Sequence, residues 1–182
     1  MSTLIIYSSK YGQTEKIAWR IAKAIGHERD SVKVMNARDA LDLESLSAFD
    51  HIILGSPIYA HRHSKQIAKF IKRFRDSLET MDTAFFSVSA SAAGGEEQKA
   101  DATTCMDKFL SIAGFEPTRK TIFAGGLPYR RYNWLTRMVM KWIAGRAGGD
   151  TDTSQNYEYT DWDHVESFAL RCLGAAEHGE AA

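Results

Sequence analysis

The stretch Leu4-Ile5-Ile6-Tyr7-Ser8-Ser9-Lys10-Tyr11-Gly12-Gln13-Thr14 decides the fold. An apolar run stops at two serines, and just past a glycine a helical pattern begins, with Ile17, Ile21 and Ile25 on one face. An apolar run without polar alternation suits a strand buried on both faces, as in a parallel sheet covered by helices. Working outward, Val32 to Met35, Ile52 to Leu54, Phe85 to Val88 and Ile122 to Ala124 repeat that character. Helical spacing recurs in Ser64 to Leu78, Ala100 to Ile112 and Trp162 to Leu173, and Leu43 to Phe49 leaves room for a short helix. Strands alternating with helices predict an α/β fold, right-handed crossovers make a doubly wound five-stranded parallel sheet the economical topology, and 2-1-3-4-5 is the order expected among those such sheets adopt.

The whole chain bounds what this fold can do. At 182 residues it can bury one core and is too short for two ordinary domains, so residues 1–176 are expected to form a single domain with a disordered tail at 177–182. Twenty-three basic and twenty-three acidic residues cancel, which points away from a nucleic-acid partner. Cys105 and Cys172 stand far apart with no metal-ligand spacing, so both are expected as reduced core residues and no metal site is expected. No basic n-region precedes Leu4 and no run approaches the roughly 20 apolar residues of a membrane span, so a cytoplasmic protein is expected, with surface attachment left open.

In an open parallel sheet, ligands bind beyond the carboxyl ends of the strands, where the first and third diverge. There the chain places Ser9, Lys10, Tyr11, Gly12, Gln13 and Thr14, a hydroxyl-rich turn opening directly into a helix. Such a loop cradles an anion with backbone amides at the positive end of the helix dipole, unless Gly12 is only a turn residue and Thr14 only a cap. The GxxxxGKS/T of a P-loop and the GxGxxG of a dinucleotide fold are both missing there, and Ser8-Ser9 and Gly55-Ser56 replace the carboxylates of a phospho-receiver domain. After the third strand, Ser56, Pro57, Ile58 and Tyr59 offer peptide groups and a ring suited to a flat heterocycle, or else an ordinary turn with an exposed tyrosine. After the fourth, Ser87, Val88, Ser89, Ala90 and Ser91 are again mostly small and polar.

SerxxGlyxThr after the first strand and GlySerProIleTyr after the third resemble the flavin mononucleotide (FMN) site of flavodoxins. The resemblance implies that the first loop holds the phosphate, the second packs on the ring and the third closes its other side. Tyr11 departs from the small hydroxyl residue common in that family, so only its amide is expected to reach the phosphate. Lys10 either helps neutralise the phosphate or is simply solvated.

About thirty-five residues, 126–160, separate the last strand from the last helix, where connections rarely exceed roughly 12 to 15. From Arg119 to Gly149 there are seven basic residues and no carboxylate, leaving sixteen basic against twenty-three acidic residues elsewhere. Trp134, Leu135, Met138, Val139, Trp142 and Ile143 share one helical face, with Arg137 and Lys141 on the other. Such a helix suits the inner face of the cell membrane through residues 130–146, or docks on its own sheet or a second subunit, so a homo-oligomer stays open. Before it stand Tyr129, Arg130, Arg131 and Tyr132, guanidinium forks and rings that fit a large aromatic dicarboxylate, the arginines alternatively meeting lipid phosphates.

GlyLeuProTyrArgArgTyr, the basic tryptophan helix, GlyGlyAspThrAspThr and TyrThrAspTrp together resemble the flavodoxin-like, quinone-dependent protoporphyrinogen oxidases. That resemblance implies oxidation of protoporphyrinogen IX to protoporphyrin IX in haem synthesis, with menaquinone or ubiquinone taking the electrons. An NAD(P)H:quinone reductase and a non-catalytic electron-carrier flavodoxin remain as alternatives. No general base is identified; His61 and His63 flank the second loop and read equally as solvated loop residues.

Overall fold

In the computed structural model, residues 2–26, 31–131, 133–135, 137, 138, 145 and 150–173 are described. Five parallel strands form the sheet: β1 (Ser2–Tyr7), β2 (Ser31–Asn36), β3 (His51–Pro57), β4 (Asp82–Ser89) and β5 (Arg119–Ala124), in the order β2-β1-β3-β4-β5. This is the expected order. Helices α1 (Gln13–Gly26) and α5 (Trp162–Cys172) cover one face; α2 (Lys65–Arg73), α3 (Arg75–Thr80) and α4 (Glu96–Ala113) cover the other.

Period-two alternation divides the apolar runs between two cores. Ile5, Ile53 and Phe86 pack with Ile17, Ile21 and Phe168 on one face. Leu4, Ile6, Ile52, Leu54 and Phe85 pack with Phe70, Ile71, Met106 and Leu110 on the other. Adjacent Phe85 and Phe86 thus serve opposite faces, and both are fully buried. Edge strand β2 is the most exposed, which matches its lysine at position 33.

Three expectations need correction. Ser64 to Leu78 is two helices: Ser64 caps α2, its Oγ accepting the Gln66 amide at 3.2 Å, and Phe74 leaves the helical region at φ −109°, ψ 22°. Phe74 packs at a tilt on Phe70, ring centres 4.8 Å apart and planes at 42°, and Leu78 reaches the same core. Leu43 to Phe49 holds no helix; the helical turn lies earlier, at Asp39–Asp42, entered where Asn36 Oδ1 accepts the Arg38 amide at 2.9 Å. In 43–49 the Ser45 hydroxyl takes the Ser47 amide instead, a local bond that competes with helix. α4 begins four residues before expected, where the Gln98 side chain accepts the Gly95 amide at 3.2 Å.

The long segment after β5 is closed at its base. β6 (Gly126–Leu127) pairs antiparallel with β7 (Tyr157–Glu158), and Thr160 donates to the Ala124 carbonyl at 2.7 Å. Gly126 has no room for a side chain, since a Cβ would meet the Tyr157 carbonyl oxygen at 2.4 Å. Trp134, Leu135, Arg137, Met138 and Gly145 are helical; Val139, Lys141, Trp142, Ile143 and Arg146 lie outside the described residues, as does the 177–182 tail. Among the described residues, no helix is long and apolar enough to cross a membrane.

Gly55 sits where β3 neighbours both β1 and β4, and a Cβ there would lie 2.2 Å from the Phe86 ring. Gly55→Ala is therefore expected to cost about 1–3 kcal/mol through overpacking. Adding Phe86→Leu should recover part of that loss; urea denaturation of the two single variants and the double variant measures the coupling.

Candidate functional site

β1 and β3 are neighbours whose chains leave to opposite faces, β1 into α1 and β3 towards α2. A crevice opens between them at the carboxyl end of the sheet. Ladder bonds run past the strand ends and hold its rims together. Ser8 donates to the Gly55 carbonyl at 3.0 Å, Ile58 to Val88 at 2.8 Å and Gly125 to Ser89 at 2.9 Å. All three serine-rich loops are thereby brought to one place.

In the first loop, Gly12 takes φ +97°, a conformation that favours glycine, and its amide donates to Ser9 Oγ at 2.9 Å. α1 starts at once, so its leading amides have no acceptor within the helix. Thr14 is buried, and the Gln13 side chain donates to Thr160 Oγ1 at 2.9 Å, tying the loop to the start of α5. Arg131 approaches from the insertion: its Nη1 donates to the Tyr11 carbonyl and would lie 2.7 Å from a Cβ at Gly12. Free helix amides, a hydroxyl, a glycine turn and a guanidinium are a donor set that fits a phosphate monoester. Lys10 is placed elsewhere, its ammonium 5.2 Å from the centre of the Tyr11 ring and 6.0 Å from that of Tyr59.

The second loop meets the first through those rings, Tyr11 and Tyr59 packing edge to face at 5.6 Å and 89°. Tyr59 is 40% exposed and open to a planar ligand. It begins a tight turn in which Tyr59 and Arg62 exchange backbone hydrogen bonds of 2.9 and 3.0 Å. Both central residues, Ala60 (φ 48°) and His61 (φ 58°), are left-handed without being glycine. Each such residue costs roughly 1–2 kcal/mol, and strain of this kind collects at ligand sites.

The serines of the second and third loops turn inward. Ser56 Oγ accepts the Ser64 amide at 3.0 Å, and Ser87 Oγ lies 2.8 Å from His63 Nε2. Ser56, Pro57, Ser87, Val88 and Ser89 are buried at the strand ends; Ile58 and Ala90 are half-buried and Ser91 is exposed at the rim. His61 is an exposed loop residue facing Asp101 at 3.1 Å, whereas His63 stacks on Phe109 at 4.4 Å. Burial lowers the His63 pKa from 6.5 to about 4, so its imidazole is neutral at physiological pH.

The insertion docks on the first loop through an aromatic cluster. Tyr129 is fully buried with Leu127, against Tyr11, Ala90, Tyr157 and Tyr159, and its hydroxyl donates to the Asp150 carbonyl at 2.7 Å. Expected to face a ligand, its ring instead packs the insertion. Arg130 is exposed and its amide donates to Asn156 Oδ1 at 3.0 Å; Tyr132 lies outside the described residues. Trp134, Leu135 and Met138 are 73%, 57% and 64% exposed, so these described members of the apolar face are not docked on the sheet. A cavity of about 580 Å³ beside Tyr59 is lined by the expected Ser9, Lys10, Pro57 and Tyr59 and also by Asn36, Arg38 and Arg62, which sequence reasoning overlooked. Its sequence signal was Asn36-Ala37-Arg38, polar and basic groups directly after β2 at the ligand-binding end.

Residues 4–154 match the model of a family described as flavodoxin domain. The chain is 34% identical over 173 residues to the protoporphyrinogen IX dehydrogenase (quinone) of Escherichia coli (strain K12), covering 93% of each chain. It is 31% identical to the protoporphyrinogen IX dehydrogenase (quinone) of Leishmania major, over 91% of this chain and 72% of that one. The solved structure of a flavodoxin from the domain Archaea superposes with a TM-score of 0.56 at 15% identity, covering 98% of this chain and all (100%) of the other, a likeness of fold.

The lowered pKa of His63 fixes a pH dependence. The unfolded chain takes up the proton near pH 6.5 and the folded chain only near pH 4, so the unfolded state binds more protons between them. Stability from this residue is present above pH 6.5 and is lost as the pH falls towards 4, by at most about 3 kcal/mol. Urea midpoints at pH 7, 5.5 and 4.5 should fall more steeply for the wild type than for His63→Gln. Parallel profiles would mean that the imidazole is not desolvated.

Proposed function

Because the chain belongs to the flavodoxin-domain family and, within it, to the quinone-dependent protoporphyrinogen IX dehydrogenases, we propose that it oxidises protoporphyrinogen IX to protoporphyrin IX with FMN and passes the electrons to a membrane quinone. The observation that carries this reading is Arg131. The cationic insertion, which a simple electron carrier has no need of, sends this guanidinium into the phosphate loop beside Tyr11 and Gly12.

FMN, when bound, supplies a two-electron acceptor for a substrate that must lose six electrons in three rounds. Ser9 to Thr14 hold its phosphate through amides and hydroxyls, and Arg131 neutralises it. Tyr59 covers the ring, the peptide groups of Ser56 to Tyr59 line its edge, and those of Ser87 to Ser91 close the other side. His63, stacked and neutral, is a positioning residue that fixes Ser87 rather than a proton acceptor. Residues 1–176 act as one unit in which the 126–160 insertion serves both the cofactor and the quinone.

The exposed Trp134, Leu135 and Met138, with Arg130 and Arg137 nearby, form an interfacial surface for anionic lipid on the inner face of the cell membrane. Attachment there lets menaquinone or ubiquinone diffuse from the bilayer to a site made by a peripheral cytoplasmic protein.

Mixing the FMN-loaded protein anaerobically with protoporphyrinogen IX should bleach the flavin and release porphyrin fluorescence, and a quinone should restore the colour. Bleaching by NADPH but not by porphyrinogen would replace this reading with a quinone reductase. A separate outcome concerns Arg131: Arg131→Gln should weaken FMN binding about 10-fold, as loss of one charge-assisted contact does, and leave riboflavin, which has no phosphate, unaffected. Fluorescence titration with both flavins measures the difference.

A further inference from the structure

The cavity beside Tyr59 is shared with the flavin loops, since Ser9, Lys10, Pro57 and Tyr59 line it, and Asn36, Arg38 and Arg62 give it a chemistry those loops lack. It measures about 580 Å³, within the range of cavities that hold small organic ligands. The ends of β1, β2 and β3 build it, with Lys10 from the first loop, Asn36 and Arg38 from the end of β2, and Tyr59 and Arg62 from the strained turn. We infer that Arg38 and Arg62 receive the propionate carboxylates of the porphyrinogen, whose macrocycle reaches the flavin past Tyr59. The inference rests on the proposed oxidation and adds to it the residues that select the substrate.

Charge and placement support this site over its rivals. Neither guanidinium is ion-paired among the described residues, and Asp39 is the one carboxylate lining the cavity, against Lys10, Arg38 and Arg62. This positive mouth sits on the part of the chain that carries sixteen basic and twenty-three acidic residues. Three cations against one carboxylate favour a dianion at that mouth. A second groove of about 660 Å³, along the outer face of α1, is basic too. Two of its cations are already committed, however, Lys16 to Glu158 at 2.7 Å and Arg20 to Glu166 at 2.6 Å. Arg131 already serves the first loop beside Tyr11 and Gly12, and Arg130 is not among the residues that line this cavity.

Both backbones are fixed before any ligand arrives. The Asn36 side chain accepts the Arg38 amide, and the paired bonds of the Tyr59–Arg62 turn hold Arg62 beside the ring that covers the flavin. Forks presented from two rigid turns suit two carboxylates on one edge of a macrocycle, with the reacting carbons of the opposite edge towards the crevice.

The test uses the FMN-loaded protein and two stable probes, protoporphyrin IX and its dimethyl ester, which lacks the negative charges. Fluorescence quenching should show the diacid bound about 10- to 100-fold more tightly than the ester by the wild type. In Arg38→Gln/Arg62→Gln that preference should vanish, with ester affinity and FMN content unchanged, and the KM for protoporphyrinogen IX should rise by a similar factor. Equal binding of diacid and ester by the wild type overturns the inference without any variant, and so does a double variant that keeps the preference. Failure of the underlying oxidation looks different: porphyrinogen would then leave the wild-type flavin unbleached. Bleaching with an unchanged KM in the variant removes the role of Arg38 and Arg62 alone.

Discussion

Everything at the ligand-binding end depends on one constraint: β1 and β3 must lie side by side while their chains depart to opposite faces of the sheet. In open α/β sheets the crevice this leaves is where ligands bind. Gly55 keeps the two strands in contact with β4, its missing side chain giving room to the Phe86 ring. The crevice is thus a product of packing in the core beneath it, and its rims are continuations of the same hydrogen-bonded ladder.

The insertion is built differently. Among its described residues it has no sheet beyond the two-residue ribbon of β6 and β7, and its described core is Leu127 and the Tyr129 ring against four partly buried neighbours. Polar bonds do much of the rest. The Tyr129 and Tyr159 hydroxyls meet at Asp150, Arg137 donates to the Tyr129 carbonyl at 2.9 Å, and Lys16 reaches across to Glu158. A segment so polar and so basic holds its place only where partners for its charges are supplied, and several of those partners belong to α1 and its loop.

The sequence made the sheet legible because Leu4 to Tyr7 and Phe85 to Val88 are buried on both faces, and burial on both faces leaves runs that are almost wholly apolar, Ser87 being the one polar residue in these two. The three loops were legible because hydroxyls and glycine gather at the carboxyl ends of those runs, Ser8 and Ser9 after β1, Gly55 and Ser56 at the end of β3, and Ser87 and Ser89 at the end of β4. Local bonds hid the helical details: Phe74 carries a helical pattern through a residue that is not helical, and Ser45 diverts an amide that a helix would use. Contacts between distant residues were hidden altogether. Arg131 and Tyr11 are 120 positions apart, Gln13 and Thr160 are 147 apart, and no periodicity reports such pairs. Tyr129 shows the same limit, since a tyrosine among arginines reads as surface until its burial is seen.

The bond from Arg131 to the Tyr11 carbonyl joins two events that would otherwise be separate. One guanidinium both seats the insertion and faces the anion cradle, so docking of the insertion and occupancy of the cradle share a single coupling free energy. Thermodynamic reciprocity then leaves no choice of sign: the factor by which a bound phosphate favours the docked insertion is the factor by which the docked insertion favours phosphate. A lipid surface that draws the insertion outward must therefore loosen the cofactor to the same degree, and one that leaves it seated spares the cofactor.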